Sequence, residues 1–201
     1  EHIVVIPTNK SRKEGLPLAL RFKEDLAKNP QVAATAIGWF SFSEPGWVNL
    51  GFEDEKNVYR NFRMNAIDAD FVNTMGLKII AGRNFSADNN LDMTSSMIVN
   101  EALAKQYGWD DPIGKKLPGD YSQRVIGVVK DFHFESLHNT IQPLALVMQP
   151  DSMLKSSSDV SFYFAAQPRI NVRLKAGDLR QQIASLQTAW KRVAPDQDFE
   201  Y

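Results

Sequence analysis

The stretch from Arg124 to His138 constrains the fold most: Arg-Val-Ile-Gly-Val-Val-Lys-Asp-Phe-His-Phe-Glu-Ser-Leu-His. Its first part, Val125 to Val129, is a β-branched apolar run. Such a run predicts a strand buried on both faces. Gly127 inside it predicts a bulge or a close approach by another backbone segment. From Lys130 onward the residues alternate strictly, with Lys130, Phe132 and Phe134 against Asp131, His133 and Glu135. That alternation predicts a half-buried strand emerging toward solvent.

The chain opens as strand, helix, strand. Ile3 to Ile6 is a short apolar strand closed by Pro7, and Asn9 to Gly15 reads as a polar loop. Pro17 suits the first turn of a helix, in which Leu18, Phe22 and Leu26 recur every fourth residue and form one apolar stripe. Asn29-Pro30 stops it, and Val32 to Phe40 reads as a strand. Ser41 to Asn57 holds Pro45, Gly46 and Gly51 and predicts a hairpin or an excursion.

Tyr59 to Ile67 alternates as a strand with one wet face. Asp68 is a candidate cap for a short helix that Gly76 ends. Leu77 to Ala81 is a strand, Gly82-Arg83-Asn84 a turn, Asp88 to Ser96 a polar loop and Met97 to Val99 a brief strand. Asn100 caps a helix to Tyr107, with Gly108 at its end. After a strand at Leu144 to Met148, the Ser-rich stretch Asp151 to Asp159 reads as a flexible loop. Phe162 to Ala166 and Ile170 to Leu174 read as strands. Asp178 and Gln181 form a capping-box pattern ahead of a helix with Leu179, Ile183, Leu186, Trp190 and Val193 on one stripe. Phe199 begins a final extended piece.

The two ends thus follow one plan of strand, amphipathic helix and strand. The expected fold is α+β: two βαβ units pack together, with a mixed α/β subdomain inserted. The expected boundaries are 1–57 and 151–201 for the outer, discontinuous subdomain and 58–150 for the insertion.

Composition closes several routes. A net charge of −1 without a Lys/Arg-rich run argues against a nucleic-acid surface. No cysteine is present, so disulfides and thiolate metal sites are excluded. The longest charge-free stretch, Asn29 to Ser43, has fifteen residues, whereas a spanning helix needs about 20. Lacking a signal peptide and an initial Met, the chain reads as an excised piece of a longer protein.

Candidate chemistry is sparse. Asp131, His133 and Glu135 are spaced by two, with His138 nearby, and His and carboxylate groups at such spacing can bind Zn²⁺ or another divalent ion. A solvated strand face gives the same pattern, and a metal site normally needs three converging ligands. No Gly-x-Ser-x-Gly elbow, His-Glu-x-x-His helix or phosphate-cradling Gly-rich loop occurs. We expect no catalytic, cofactor or metal residues. Trp39, Phe42 and Trp47 are the candidate ligand or partner contacts, since Pro45-Gly46-Trp47 falls on an expected loop. Glu53-Asp54-Glu55 reads as solvated charge.

Gly127 to His138, followed by Ile141-Gln142-Pro143-Leu144, resembles the MacB-like periplasmic core domain of FtsX-like ABC-transporter permeases, in the form common in Bacteroidetes-type bacteria. Three further pieces agree in order: Phe71 to Leu77 with Ala81 to Phe85, Val99 to Ala104, and Asp111 to Lys115. The resemblance implies that the outer halves form a "porter" subdomain and the insertion a "Sabre" subdomain. It also implies a non-catalytic extracytoplasmic domain on the periplasmic face of the inner membrane, between the first two transmembrane helices of a permease. The implied partners are an ABC ATPase, a second permease copy, and a periplasmic adaptor, lipoprotein or peptide. Two rivals remain at this point. One is a soluble ligand-binding or sensory module using the Trp39 to Trp47 region. The other is a metal-dependent hydrolase built on Asp131, His133 and Glu135.

Overall fold

The computed structural model describes residues 2–42, 47–54, 56–161 and 167–201. In chain order these carry β1 (Ile3–Pro7), α1 (Arg12–Leu26), β2 (Val32–Gly38), β3 (Val48–Glu53), β4 (Tyr59–Ala66), α2 (Phe71–Thr74), β5 (Ile79–Gly82) and α3 (Asn90–Ser95). There follow β6 (Ser96–Asn100), α4 (Glu101–Gln106), β7 (Arg124–Val129), β8 (Leu144–Val147), α5 (Asp151–Ser156), β9 (Asp159–Ser161), β10 (Arg169–Leu174) and α6 (Leu179–Val193). The mixed α+β class is as expected, with two sheets. The expected strand at Phe162 to Ala166 lies outside the described residues.

Contacts divide the chain into two compact units. The smaller comprises Glu1–Ser41, Asp70–Gly76 and Ala166–Tyr201, and the larger Phe42–Ala69 and Leu77–Ala165. The outer breaks sit at 41/42 and 165/166 and two more flank Asp70–Gly76, beside the expected bounds of 1–57 and 151–201 around 58–150.

In the smaller unit β10 lies between β1 and β2 and is antiparallel to both. β1, α1 and β2 therefore form a split βαβ unit, and β10 with α6 fills the gap from the far end of the chain. Ile170, Val172 and Leu174 point to one core with Leu18, Phe22 and Leu26 of α1 and Leu186 and Trp190 of α6. Phe22 meets Trp190 edge-on, with ring centroids 5.0 Å apart. Residues 198–201 form no regular element, and Phe199 packs partly buried against this core.

α1 starts at Arg12, five residues ahead of its expected proline start. Ser11 takes the cap position without a side-chain cap bond, its carbonyl accepting from Glu14 N at 3.1 Å and Gly15 N at 2.7 Å. Pro17 therefore sits inside the helix and removes one backbone donor. At the other end, Asp178 caps α6 as expected, its side chain accepting from Gln181 N at 2.9 Å.

The larger unit is built on a seven-stranded mixed sheet in the order β5-β7-β6-β8-β4-β3-β9. β3 pairs with β4 as a hairpin, so the stretch Ser41 to Asn57 supplies only its first strand and the strand expected at Tyr59 to Ile67 supplies the second. Both readings of Gly127 hold. The β6–β7 register shifts between Met97 and Ile98, leaving Ile126 as an extra residue. A Cβ at Gly127 would run into the Arg83 carbonyl, and Arg83 N donates to Ile126 O at 2.9 Å.

Two expected loops contain regular structure instead. Asp88 to Ser96 contains α3, with Asn89 Oδ1 accepting from Leu91 N at 3.0 Å. Asp151 to Asp159 contains α5 followed by β9. Each helix buries a single side chain, Asp92 in α3 and Met153 in α5, so neither shows an apolar period. The cap position of α2 falls at Asp70, two residues after the expected Asp68, and the Asp70 side chain makes no cap bond.

Candidate functional site

The emerging strand expected after Val129 is absent. β7 ends there, and residues 130–143 run without regular structure. Asp131 turns aside to hold α4: its Oδ1 accepts from Ala102 N at 3.0 Å, while its own N donates to Glu101 Oε2 at 2.8 Å. Phe132 and Phe134 turn inward without a strand, into a ring cluster with Phe42 and Trp47. The alternation in the sequence records this burial and not sheet pairing.

Glu135 is committed elsewhere. Its Oε1 accepts from Arg63 Nε at 2.8 Å, and Arg63 also donates to Asn49 Oδ1 at 2.6 Å. His133 and His138 are exposed. Asp131, His133, Glu135 and His138 therefore do not converge, and no group of three or more His, Asp or Glu able to hold a metal exists among the described residues. The ligand set that the hydrolase rival called on is not assembled among the described residues.

The three aromatic candidates fall in both units. Trp39 is in the smaller one, 7% exposed, with the Arg12 guanidinium 5.3 Å from its ring centroid and its carbonyl accepting from Arg169. Phe42 and Trp47 belong to the larger one, stacked with centroids 6.2 Å apart. Trp47 is 0% exposed and lies 4.7 Å from Phe134. Phe42 is half-buried. Of the three, Phe42 is the least buried.

Two concavities stand out. In the smaller unit a groove of about 730 Å³ is lined by Leu20, Leu26, Val32, Ala34, Asp70 and Asn73. Lys23 Nζ and Asp70 Oδ2 on its wall pair at 2.6 Å. In the larger unit a polar pocket of about 500 Å³ has Asp54, Lys56, Arg60, Tyr107 and Lys116 in its wall. The Asp54 carboxyl is held below its ordinary value of 3.8, first by the Val58 N–H, with Lys56 N–H and Arg60 adding to the effect. Burial pushes the Tyr107 hydroxyl up to about 12, so it stays neutral. Sequence reading missed this pocket because it treated Asp54 as solvated charge. The Asp54-x-Lys56 turn spacing was the available signal, since Asp commonly accepts from the backbone two residues on.

Comparison with known proteins adds the context. The periplasmic region of MacB from Actinobacillus actinomycetemcomitans superposes with a TM-score of 0.62 at 16% identity, covering 98% of this chain and 86% of that one. A domain of a putative permease from Porphyromonas gingivalis gives 0.56 at 16% identity, covering 98% and 84%. The extracellular domain of the noncanonic ABC-type transporter YknZ from Gram-positive bacteria gives 0.58 at 18% identity, covering 97% and 94%. These likenesses concern the fold. No curated protein matches the chain. The family described as MacB-like periplasmic core domain matches residues 2–188. With that span matched, the chain belongs to the MacB-like periplasmic core domain family.

Proposed function

We propose that this chain is the mechanical, non-catalytic extracytoplasmic part of an ABC-type permease. In the full protein it sits on the periplasmic face of the inner membrane, between the first two transmembrane helices. Cytoplasmic ATP hydrolysis moves the paired permeases, and this domain follows, exporting or releasing a substrate outside the membrane. The supporting observation is the family match over residues 2–188. No described helix is long and apolar enough to cross a membrane, so the membrane contact in this reading comes from flanking segments.

The reading names partners: an ABC ATPase subunit or domain, a second permease copy, and a periplasmic adaptor, lipoprotein or peptide. It takes the smaller unit as porter-like and the larger as Sabre-like. Phe42 is the aromatic it offers to a partner, backed by Trp47 within the larger unit.

The test is the size and fractionation of the native protein, detected with an antibody against this 201-residue chain. A band far above 22.7 kDa that stays in the membrane after carbonate washing is expected. A soluble band near 22.7 kDa overturns the reading.

A further inference from the structure

Three cations and one carboxylate line the polar pocket of the larger unit: Lys56, Arg60, Lys116 and Asp54. Their sum is +2, in a chain whose net charge is −1. Asp54 is already occupied. Its Oδ1 accepts from Lys56 N at 2.9 Å and Val58 N at 3.0 Å, which fixes the turn that carries Lys56. Its Oδ2 accepts from Arg60 Nε at 3.1 Å.

Arg60 is held from two sides. Asp54 grips its Nε edge, and its guanidinium carbon lies 5.9 Å from the Tyr107 ring centroid. Tyr107 is itself fixed by stacking on Phe52 and Trp109. The two terminal nitrogens of Arg60 make no hydrogen bond among the described residues, and neither Lys56 nor Lys116 has an ion pair among them. A guanidinium immobilised by its Nε and its face presents the remaining N–H groups as a rigid fork. That fork matches two oxygens of a phosphate or carboxylate group. Little further side-chain order is lost on binding. Two unpaired lysines beside it favour a doubly charged group over a singly charged one. Pro118 adds apolar surface to the wall, suited to a short carbon stem.

We propose that this pocket binds a small phosphate-bearing anion, with Arg60 as the bidentate contact and Lys56 and Lys116 neutralising its charge. The proposal does not depend on the transport reading. The anion has two sources with the same chemistry, free phosphate and a phosphorylated glycerol headgroup.

The test is a titration of the 201-residue chain, followed by amide chemical shifts at constant ionic strength. The probes are sodium phosphate, glycerol phosphate and sodium chloride. Saturable shifts are expected at Lys56, Arg60, Tyr107, Lys116, Leu117 and Gly119 with both phosphates and not with chloride. The double variant Lys56→Ala/Lys116→Ala is expected to weaken binding by about tenfold or more. Arg60→Lys keeps the charge and removes the fork, and a similar loss is expected while the spectrum outside the pocket stays unchanged. Tighter binding of glycerol phosphate assigns the headgroup source, and tighter binding of inorganic phosphate assigns the free anion. Shifts that never saturate, that chloride reproduces, or that persist unweakened in both variants overturn the proposal.

Discussion

Arg63 and Glu135 are 72 residues apart in sequence and meet at 2.8 Å, with side chains 18% and 12% exposed. The pair ties strand β4 to the irregular segment that follows β7. It therefore fixes the stretch that alternates most strictly in the sequence and has no strand to hold it.

Removing one partner leaves the other charge half-buried. Glu135→Ala is expected to lower stability by about 2 kcal/mol, the range for a hydrogen bond to a charged group. Arg63→Ala should cost at least as much, because Asn49 also loses its donor. Urea unfolding measures both. A cost under about 0.5 kcal/mol in each would mean the pair is only a surface contact.

Asp92 gives a pH prediction. It is fully buried and accepts from both terminal nitrogens of Arg83, at 2.6 and 2.8 Å, from Ser86 N at 2.9 Å and from Ser96 Oγ at 3.3 Å. The Arg83 hydrogen bonds are the largest cause holding its carboxyl below the ordinary 3.8. A lowered folded pKa means that the unfolded chain takes up the proton first as pH falls. The stabilisation is thus complete above 3.8 and is lost as pH drops through the folded value. Asp92→Asn should be less stable than the parent at pH 7, and the gap should narrow below pH 4. A gap unchanged down to pH 2 would refute it.

Asn100 is a buried junction. Its Oδ1 accepts from Leu103 N at 3.0 Å and Leu144 N at 2.9 Å, and its Nδ2 donates to Gln142 O at 2.9 Å. One side chain thereby caps α4 and fixes the entry to β8. Asn100→Ala is expected to cost about 2–4 kcal/mol, above the ~1 kcal/mol of an ordinary cap, because two further buried groups lose partners. Thermal unfolding of the two proteins checks this.

Two glycines form one close backbone crossing. A Cβ at Gly82 would run into Ile126 O, and Gly82 has φ +68°. A Cβ at Gly127 would run into Arg83 O. Gly127→Ala should destabilise by about 1–3 kcal/mol through overpacking. Gly82→Ala should exceed it, adding the roughly 1–2 kcal/mol of a left-handed conformation. Equal, small effects in both would show that the crossing relaxes freely.

What the sequence disclosed follows from where each signal comes from. Leu18-Phe22-Leu26 and Leu186-Trp190 were readable because long helices bury a periodic stripe. Asn100 and Asp178 were readable because capping is local. Gly127 was readable because a glycine within a β-branched run has few other reasons to be there. The helices α3 and α5 were hidden, since each buries one side chain and offers no period. Phe132 and Phe134 misled for the opposite reason: they alternate with Asp131, His133 and Glu135, yet their partners are rings and not strands. The polar pocket depended on Arg60 of β4 meeting Lys116 from the segment before β7, and that is set by tertiary placement alone.

The position of β10 has a consequence for how the molecule is made. β1 and β2 have no neighbour in their sheet until Arg169–Leu174 has been synthesised. Every element of the seven-stranded sheet lies earlier than that. The larger unit can therefore complete its pairing while the first 41 residues of the chain wait as an unsatisfied strand–helix–strand. Closing so long a gap is slow, and a waiting strand edge invites the wrong neighbour. Biogenesis of this chain should then be limited by the arrival of β10, and pulse-labelled nascent chains should gain protease resistance in two steps, the smaller unit last.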